Sequence, residues 1–216
     1  MIRIDAEQLR CQLQRQKITT ARFDIPVEEQ ELANSLEVAY IVEVEKRHRV
    51  YSSDEKMKKL FADVARAIKD KGKFGILFCG QCGNGKTTMM YAIRDLFNLL
   101  SLHNLIDGEY SKVQMVVWDS TKIARVAKDE DISKIANIPL LAIDDLGKEP
   151  KEVISFGNVI TPMIDVIEHR YKLQLPTFVS TNLLPKQIGE KYGTRIADRF
   201  NEMFHKIVFD NQSYRK

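Results

Sequence analysis

Cysteine is scarce: three stand in 216 residues, at positions 11, 79 and 82. An odd number without framework spacing excludes a cross-linked secreted scaffold and fits a reducing compartment. Long apolar runs are also missing. None approaches the roughly 20 residues of a membrane-spanning helix, and the opening Met1-Ile2-Arg3-Ile4-Asp5 has no signal-peptide pattern. A cytoplasmic protein without membrane contact is expected. Charge of one sign is not in excess, since 33 Lys/Arg against 30 Asp/Glu leave only +3. That surplus carries no argument for nucleic acid, which would need a local patch. It lies after Leu183, where seven basic residues face four acids, and its simplest reading is a solvated surface. Repeats and low-complexity tracts are absent. The 44% hydrophobic and 29% charged content suits one medium-sized globular domain with a small appendage.

What is present concentrates in one stretch. An apolar run, Phe74-Gly75-Ile76-Leu77-Phe78, breaks into Cys79-Gly80-Gln81-Cys82-Gly83-Asn84-Gly85-Lys86-Thr87-Thr88, then resumes as Met89-Met90-Tyr91-Ala92-Ile93. This is a buried strand, a loop and a helix, and the loop fits G-x-x-x-x-G-K-T. Its glycines let backbone N–H groups turn inward around a polyphosphate, and the helix N-terminus behind them favours an anion. The pattern therefore predicts a nucleoside triphosphate site formed by Gly80 to Thr88. Lys86 stands against the β- and γ-phosphates, and the Thr87 hydroxyl ligates Mg²⁺. Cys79 and Cys82 also spell C-x-x-C, but no second pair completes a zinc site and Gly80 belongs to the loop. Both cysteines read as small residues lining it.

A second apolar run, Ile138-Pro139-Leu140-Leu141-Ala142-Ile143, ends in Asp144-Asp145, with Asp144 58 residues after Lys86. A strand that carries paired acids to the end of a sheet supplies the other half of such a site. Asp144 is the candidate metal ligand, directly or through water, and Asp145 the candidate general base. A third run, Pro176-Thr177-Phe178-Val179-Ser180-Thr181-Asn182, brings polar residues to a strand's C-terminal end, where ligands of parallel sheets collect. Asn182 is placed to orient the attacking water or touch the γ-phosphate.

Around these runs the spacing predicts a short helix over 5–16 and a linker over 19–24. A helix opening at Pro26 follows, with Leu32, Leu36, Ala39 and Tyr40 on one face; residues 38–44 also have β character. Ser52 with Glu55 reads as a capping box before the stripe Met57, Leu60, Phe61, Val64, Ala65 and Ile68. Residues 112–118 read as a strand, and Asp119 or Ser120 as a helix cap. Phe156, Val159, Ile160, Met163, Ile164, Val166 and Ile167 fit a helix. A short helix over 185–192 is followed by one opened by Thr194, which shows Arg195 and Arg199 on an exposed face. Residues 206–209 read as the last strand.

The glycine loop, Ile143-Asp144-Asp145-Leu146-Gly147, Ser180-Thr181-Asn182, Tyr192-Gly193-Thr194-Arg195-Ile196-Ala197-Asp198-Arg199-Phe200 and Ser213-Tyr214-Arg215 together resemble the AAA+ ATPases of the DnaC/IstB type. These are replicative helicase loaders and transposition helper ATPases. The resemblance covers roughly residues 50–216. It implies a three-layer α/β P-loop domain with a five-stranded, mostly parallel sheet in the order 5-1-4-3-2 and no C-terminal helical lid. A small helical segment over 1–49 precedes it, as a partner contact.

In functional terms the resemblance implies an ATPase using ATP and Mg²⁺, associated with single-stranded DNA and with a helicase or transposase. Such proteins self-associate through the ATP site. Asn182 takes the sensor-1 role, Arg199 that of an arginine finger acting on a neighbour's γ-phosphate, and Arg215 that of sensor 2. By spacing alone, Arg195 and Arg199 also fit surface charges paired with Asp198 and Glu202. Asp145 stands where many members have Glu, a shorter reach that implies slow hydrolysis, and Glu149 is the next acid along. A nucleotide-gated binding module and a small-molecule phosphotransferase are the other classes open. No acceptor motif favours the latter.

Overall fold

The structure is a computed structural model. It describes Asp5, Glu7, Arg10 and residues 25–100, the backbone of 103–106 and 109–112, and residues 113–210. The expected helix over 5–16 and linker over 19–24, Cys11 and Arg215 lie outside what is described or are only grazed by it.

Five strands form one sheet: β1 (Gly75–Gly80), β4 (Met115–Asp119), β5 (Leu140–Leu146), β8 (Thr177–Thr181) and β9 (Phe204–Phe209). Their spatial order is β4-β5-β8-β1-β9, and all four pairings are parallel. Numbering the sheet strands alone and reading from the β9 edge, this is the expected 5-1-4-3-2. Two hairpins outside the sheet, β2 (His103–Ile106) with β3 (Glu109–Lys112) and β6 (Val153–Ser155) with β7 (Asn158–Ile160), were not foreseen.

Interior parallel strands are covered on both faces, so they read as continuous apolar runs. Ile76, Phe78, Leu140, Ala142 and Phe178 point into one core and Leu77, Leu141, Ile143 and Val179 into the other. The first core is closed by α1 (Glu29–Glu45), α2 (Glu55–Lys69) and α3 (Lys86–Leu99). The second is closed by α4 (Ser120–Val126), α5 (Ser133–Ala136), α6 (Pro162–Leu173), α7 (Pro185–Tyr192) and α8 (Thr194–Met203). Edge strand β9 is mixed: Ile207 and Phe209 enter the first core and Phe204 the second, while Val208 is exposed.

Several local expectations are corrected. α1 begins at Glu29, so Pro26 precedes the helix and does not open it. The stretch over 38–44 is helical throughout, because Leu32, Leu36 and Tyr40 bury one face in the first core. α2 is capped by Asp54, not Ser52: its carboxylate accepts from the Met57 N–H at 2.7 Å. The strand expected over 112–118 divides into the end of β3 at Lys112 and β4 from Met115. Phe156, Val159 and Ile160 sit in the β6–β7 hairpin and not in a helix. Their three-and-four spacing fits a helical face, yet Phe156 and Gly157 both take positive φ (47° and 83°) and close a two-residue turn. The helix starts only at Pro162.

Arg170 of α6 locks the second core to the sheet. It is fully buried and donates to the carbonyls of Ala136 (2.9 Å), Ile138 (2.6 Å) and Pro176 (2.6 Å) and to the Thr177 hydroxyl (2.8 Å). Burial lowers its pKa, while the four oxygens offset part of the cost of holding the charge. Arg170→Met keeps the stem but strands those acceptors. It is expected to destabilise by about 3–5 kcal/mol, read as a lower urea midpoint.

Candidate functional site

β1 stops at Gly80 because the chain must turn there against β9. A Cβ at Gly80 would stand 2.3 Å from the Phe209 carbonyl oxygen. The loop ends on Gly85 (φ 96°), from which α3 begins at Lys86. Asn84, also buried, ties the loop to β9 by donating to the Phe209 carbonyl at 2.6 Å. Its amide oxygen accepts from Lys86 at 3.1 Å. The Lys86 ammonium lies inside this curl, within 2.8 Å of the Gly80 carbonyl oxygen, 2.7 Å of Gln81 and 2.9 Å of the Asn182 amide oxygen. Burial lowers its pKa against the opposing pull of Asp145 and Asp144.

The strand ends meet this loop as the spacing predicts. Thr87 Oγ1 donates to Asp144 Oδ1 at 3.1 Å. Ser180 Oγ donates to the same Asp144 oxygen at 2.5 Å and accepts from the Asp145 N–H at 2.9 Å. Burial raises the Asp144 pKa, and the hydrogen bond from Ser180 counters it. Ser180 holds both acids in place, a role that its sequence position at a strand end only hints at.

Strand alternation would turn Asp144 and Asp145 to opposite faces. The pairing of β5 with β8 slips one residue between Ile143 and Leu146, and this bulge turns both acids to one cavity. Asp145 takes φ 57°, a left-handed backbone that Asp and Asn tolerate better than Glu. That gives a local reason for the shorter acid. Its carboxylate is paired with Lys148.

The cavity measures about 750 Å³. One wall is the phosphate loop from Cys82 to Thr88 with Asp144, Asp145, Lys148 and Asn182. The other is Tyr40, Val44 and Arg47 of α1 with Tyr51, residues to which sequence reasoning gave no role at the site. Only the packing of α1 on α3 brings them there; Lys46 joins the two helices through Asp95 at 2.8 Å. Polar atoms at the phosphate end, and the rings of Tyr40 and Tyr51 with Val44 beside Arg47 at the other, match the two halves of a nucleotide. The Thr87 hydroxyl and Asp144 carboxylate, both hard oxygen donors, fit Mg²⁺.

Other expected residues stand elsewhere. Glu149 is buried away from the cavity: it accepts from the Gly147 N–H at 2.8 Å and from the Tyr192 hydroxyl. Arg195 is exposed, but Arg199 of the same face is not; its side chain is 15% exposed. Its guanidinium lies 2.5 Å from Glu168 and 4.9 Å from the Tyr171 ring centroid. The expected partner Glu202 instead accepts from the Tyr171 hydroxyl at 2.5 Å. Cys79 is half-buried, burial raises its pKa, and no metal-holding cluster of His, Cys, Asp or Glu occurs among the described residues.

No protein-family model matches the chain. The replicative helicase loader DnaI of Bacillus subtilis (strain 168) is 27% identical over 199 residues, which cover 88% of this chain. The chain spans 58% of the length of that curated relative. A crystal structure of DnaI superposes with a TM-score of 0.56 at 20% identity, over 77% of this chain and 88% of that one. The DnaC helicase loader does so with 0.54 at 17% identity, over 74% and 93%. The chain shares the fold of these DnaC-type AAA+ proteins. A similar fold occurs in a structure of the replication initiator DnaA bound to AMPPCP and single-stranded DNA (TM-score 0.50, 17% identity, 76% of this chain and 50% of that one). No helix among the described residues is long and apolar enough to cross a membrane.

Proposed function

We propose that this chain is an ATP-driven helicase loader of DNA replication, acting in the cytoplasm on single-stranded DNA. The carrying observation is the meeting of Lys86 and Thr87, from the first turn of a helix, with Asp144, from a strand, at one end of a nucleotide-sized cavity. Lys86 and the loop amides bind the phosphates, and Thr87 and Asp144 hold Mg²⁺, which when bound neutralises charge on the β- and γ-phosphates. Tyr40, Val44 and Tyr51 enclose the base. Asp145 takes the proton of the attacking water, and Asn182 orients that water. Residues 50–216 are the nucleotide unit. Residues 1–49 serve the partner and, through α1, the base wall. The helicase as partner is supported by the DnaI relative, and DNA by the DnaA structure. A transposase partner has no such support here.

A second reading, a module that binds ATP and scarcely hydrolyses it, is favoured by the Asp145–Lys148 pair. Steady-state ATPase assays with and without single-stranded DNA, on the parent and Asp145→Asn, separate the two. Asn suits φ 57°, so the backbone should hold. The loader reading expects DNA-stimulated turnover that falls roughly 10²–10⁴-fold in the variant with Mg·ATP binding intact. Parent turnover that is barely measurable with or without DNA would move the chain to the second reading, and a fall of tenfold or less in the variant would take the base role from Asp145.

A further inference from the structure

We propose that Glu168, seconded by Tyr171, holds Arg199 in reserve in the isolated subunit. Arg199 then reaches the nucleotide of a second copy only by exchanging Glu168 for phosphate. This rests on the reading of Arg199 as a residue that acts on that second copy.

Three features of the contact support a reversible hold over a permanent one. First, Arg199 Nη1 lies 2.5 Å from Glu168 Oε1, yet it has no aligned hydrogen bond although it is buried. It is held by charge and by the Tyr171 ring face, and no satisfied fork of hydrogen bonds is lost when it leaves. Second, Arg195 stands 3.3 Å from the same Oε1 with its side chain 74% exposed. When Arg199 departs, Glu168 keeps a cation, and departure does not strand a buried carboxylate. Third, the Tyr171 hydroxyl is fixed by Glu202, one turn of α8 beyond Arg199, so the ring stays in place for Arg199 to return. Phosphate oxygens accept a guanidinium fork bidentately and outcompete a carboxylate that engages one nitrogen. Glu168 and Tyr171 are thus positioning residues. They set what fraction of subunits presents Arg199, and that fraction scales the apparent rate of assembly-dependent turnover.

The test uses the full chain. ATPase rate is measured over a range of protein concentrations for the parent, Glu168→Gln, Glu168→Asp, Arg199→Ala and Glu168→Gln/Arg199→Ala, with a melting curve for each. Glu168→Gln is expected to raise kcat about five- to tenfold at sub-saturating protein, the effect of removing an ion pair of about 1 kcal/mol, and to leave KM for ATP within about twofold. The gain must vanish in the double variant. Glu168→Asp, which keeps the charge but shortens its reach, should move about twofold in the same direction and carries the test if the Gln variant melts early. A folded Glu168→Gln with unchanged or lower kcat, beside an inactive Arg199→Ala, overturns the hold and leaves the role of Arg199 standing. An Arg199→Ala protein that turns over at the parent rate overturns the underlying reading as well.

Discussion

Lys86→Ala should lose ATP affinity by about 10²-fold or more and keep its fold. The ammonium is placed to give charge-assisted hydrogen bonds to phosphate oxygens, each worth about 1.5–3 kcal/mol, so losing two of them removes about 3 kcal/mol or more. Its present partners are the Gly80 and Gln81 carbonyls and the Asn84 and Asn182 amide oxygens, which hold it at the spot where phosphate oxygens would take over.

None of that burial favours the folded state. The Lys86 pKa is lowered in the fold, with burial the largest cause. In the window between that lowered value and 10.5 the native state holds fewer protons than the unfolded chain, so stability rises with pH there. Below the window the buried charge is a standing cost, which alanine removes. The variant should therefore stay folded and melt near the parent temperature at neutral pH, the removed charge offsetting the four oxygens left without their donor. Calorimetric titration with Mg·ATP beside a melting curve checks both halves. A folded variant that binds ATP as tightly as the parent would take the foundation from the proposed function.

The sheet and the phosphate end of the site were legible because their signals are local. β1, β5 and β8 are interior parallel strands, and their two-sided burial writes itself as unbroken apolar runs. The loop's backbone needs glycine at fixed places, so Gly80, Gly85, Lys86 and Thr87 declare themselves by spacing. What stayed hidden depends on neighbours far along the chain. Tyr40 and Tyr51 line the cavity only because α1 packs on α3. The β5 bulge that turns Asp144 and Asp145 to one side follows from register with β8, which no pattern in residues 138–145 announces. The β6–β7 hairpin was misread because Phe156, Val159 and Ile160 satisfy helical spacing, and the turn at Phe156-Gly157 outweighs it. Spacing also put Arg195 and Arg199 on one face correctly. It cannot say that α6 lies over one of them and not the other.

Arg199→Ala should bind ATP normally and fail to hydrolyse it, because the proposed target is a neighbour's γ-phosphate. The geometry within one subunit agrees with action in trans: Arg199 lines no part of its own cavity and packs on Glu168 and Tyr171 of α6. Mixing Arg199→Ala with Lys86→Ala subunits should then recover part of the activity that each lacks alone. In a mixed pair the intact Arg199 of the Lys86→Ala subunit serves the intact loop of the other. A cation delivered to a developing γ-phosphate charge is worth on the order of 10³–10⁵ in turnover, so even sparse pairing would be visible above either background. The plain alternative is an arginine that serves only its own ion pair with Glu168. It predicts a stability loss of under about 1 kcal/mol, full activity for Arg199→Ala alone and no gain on mixing. Turnover at the parent rate by Arg199→Ala, under conditions where the protein self-associates, would reject the trans role. Arg195, one turn earlier, exposed and paired to the same Glu168, would be the residue to test next.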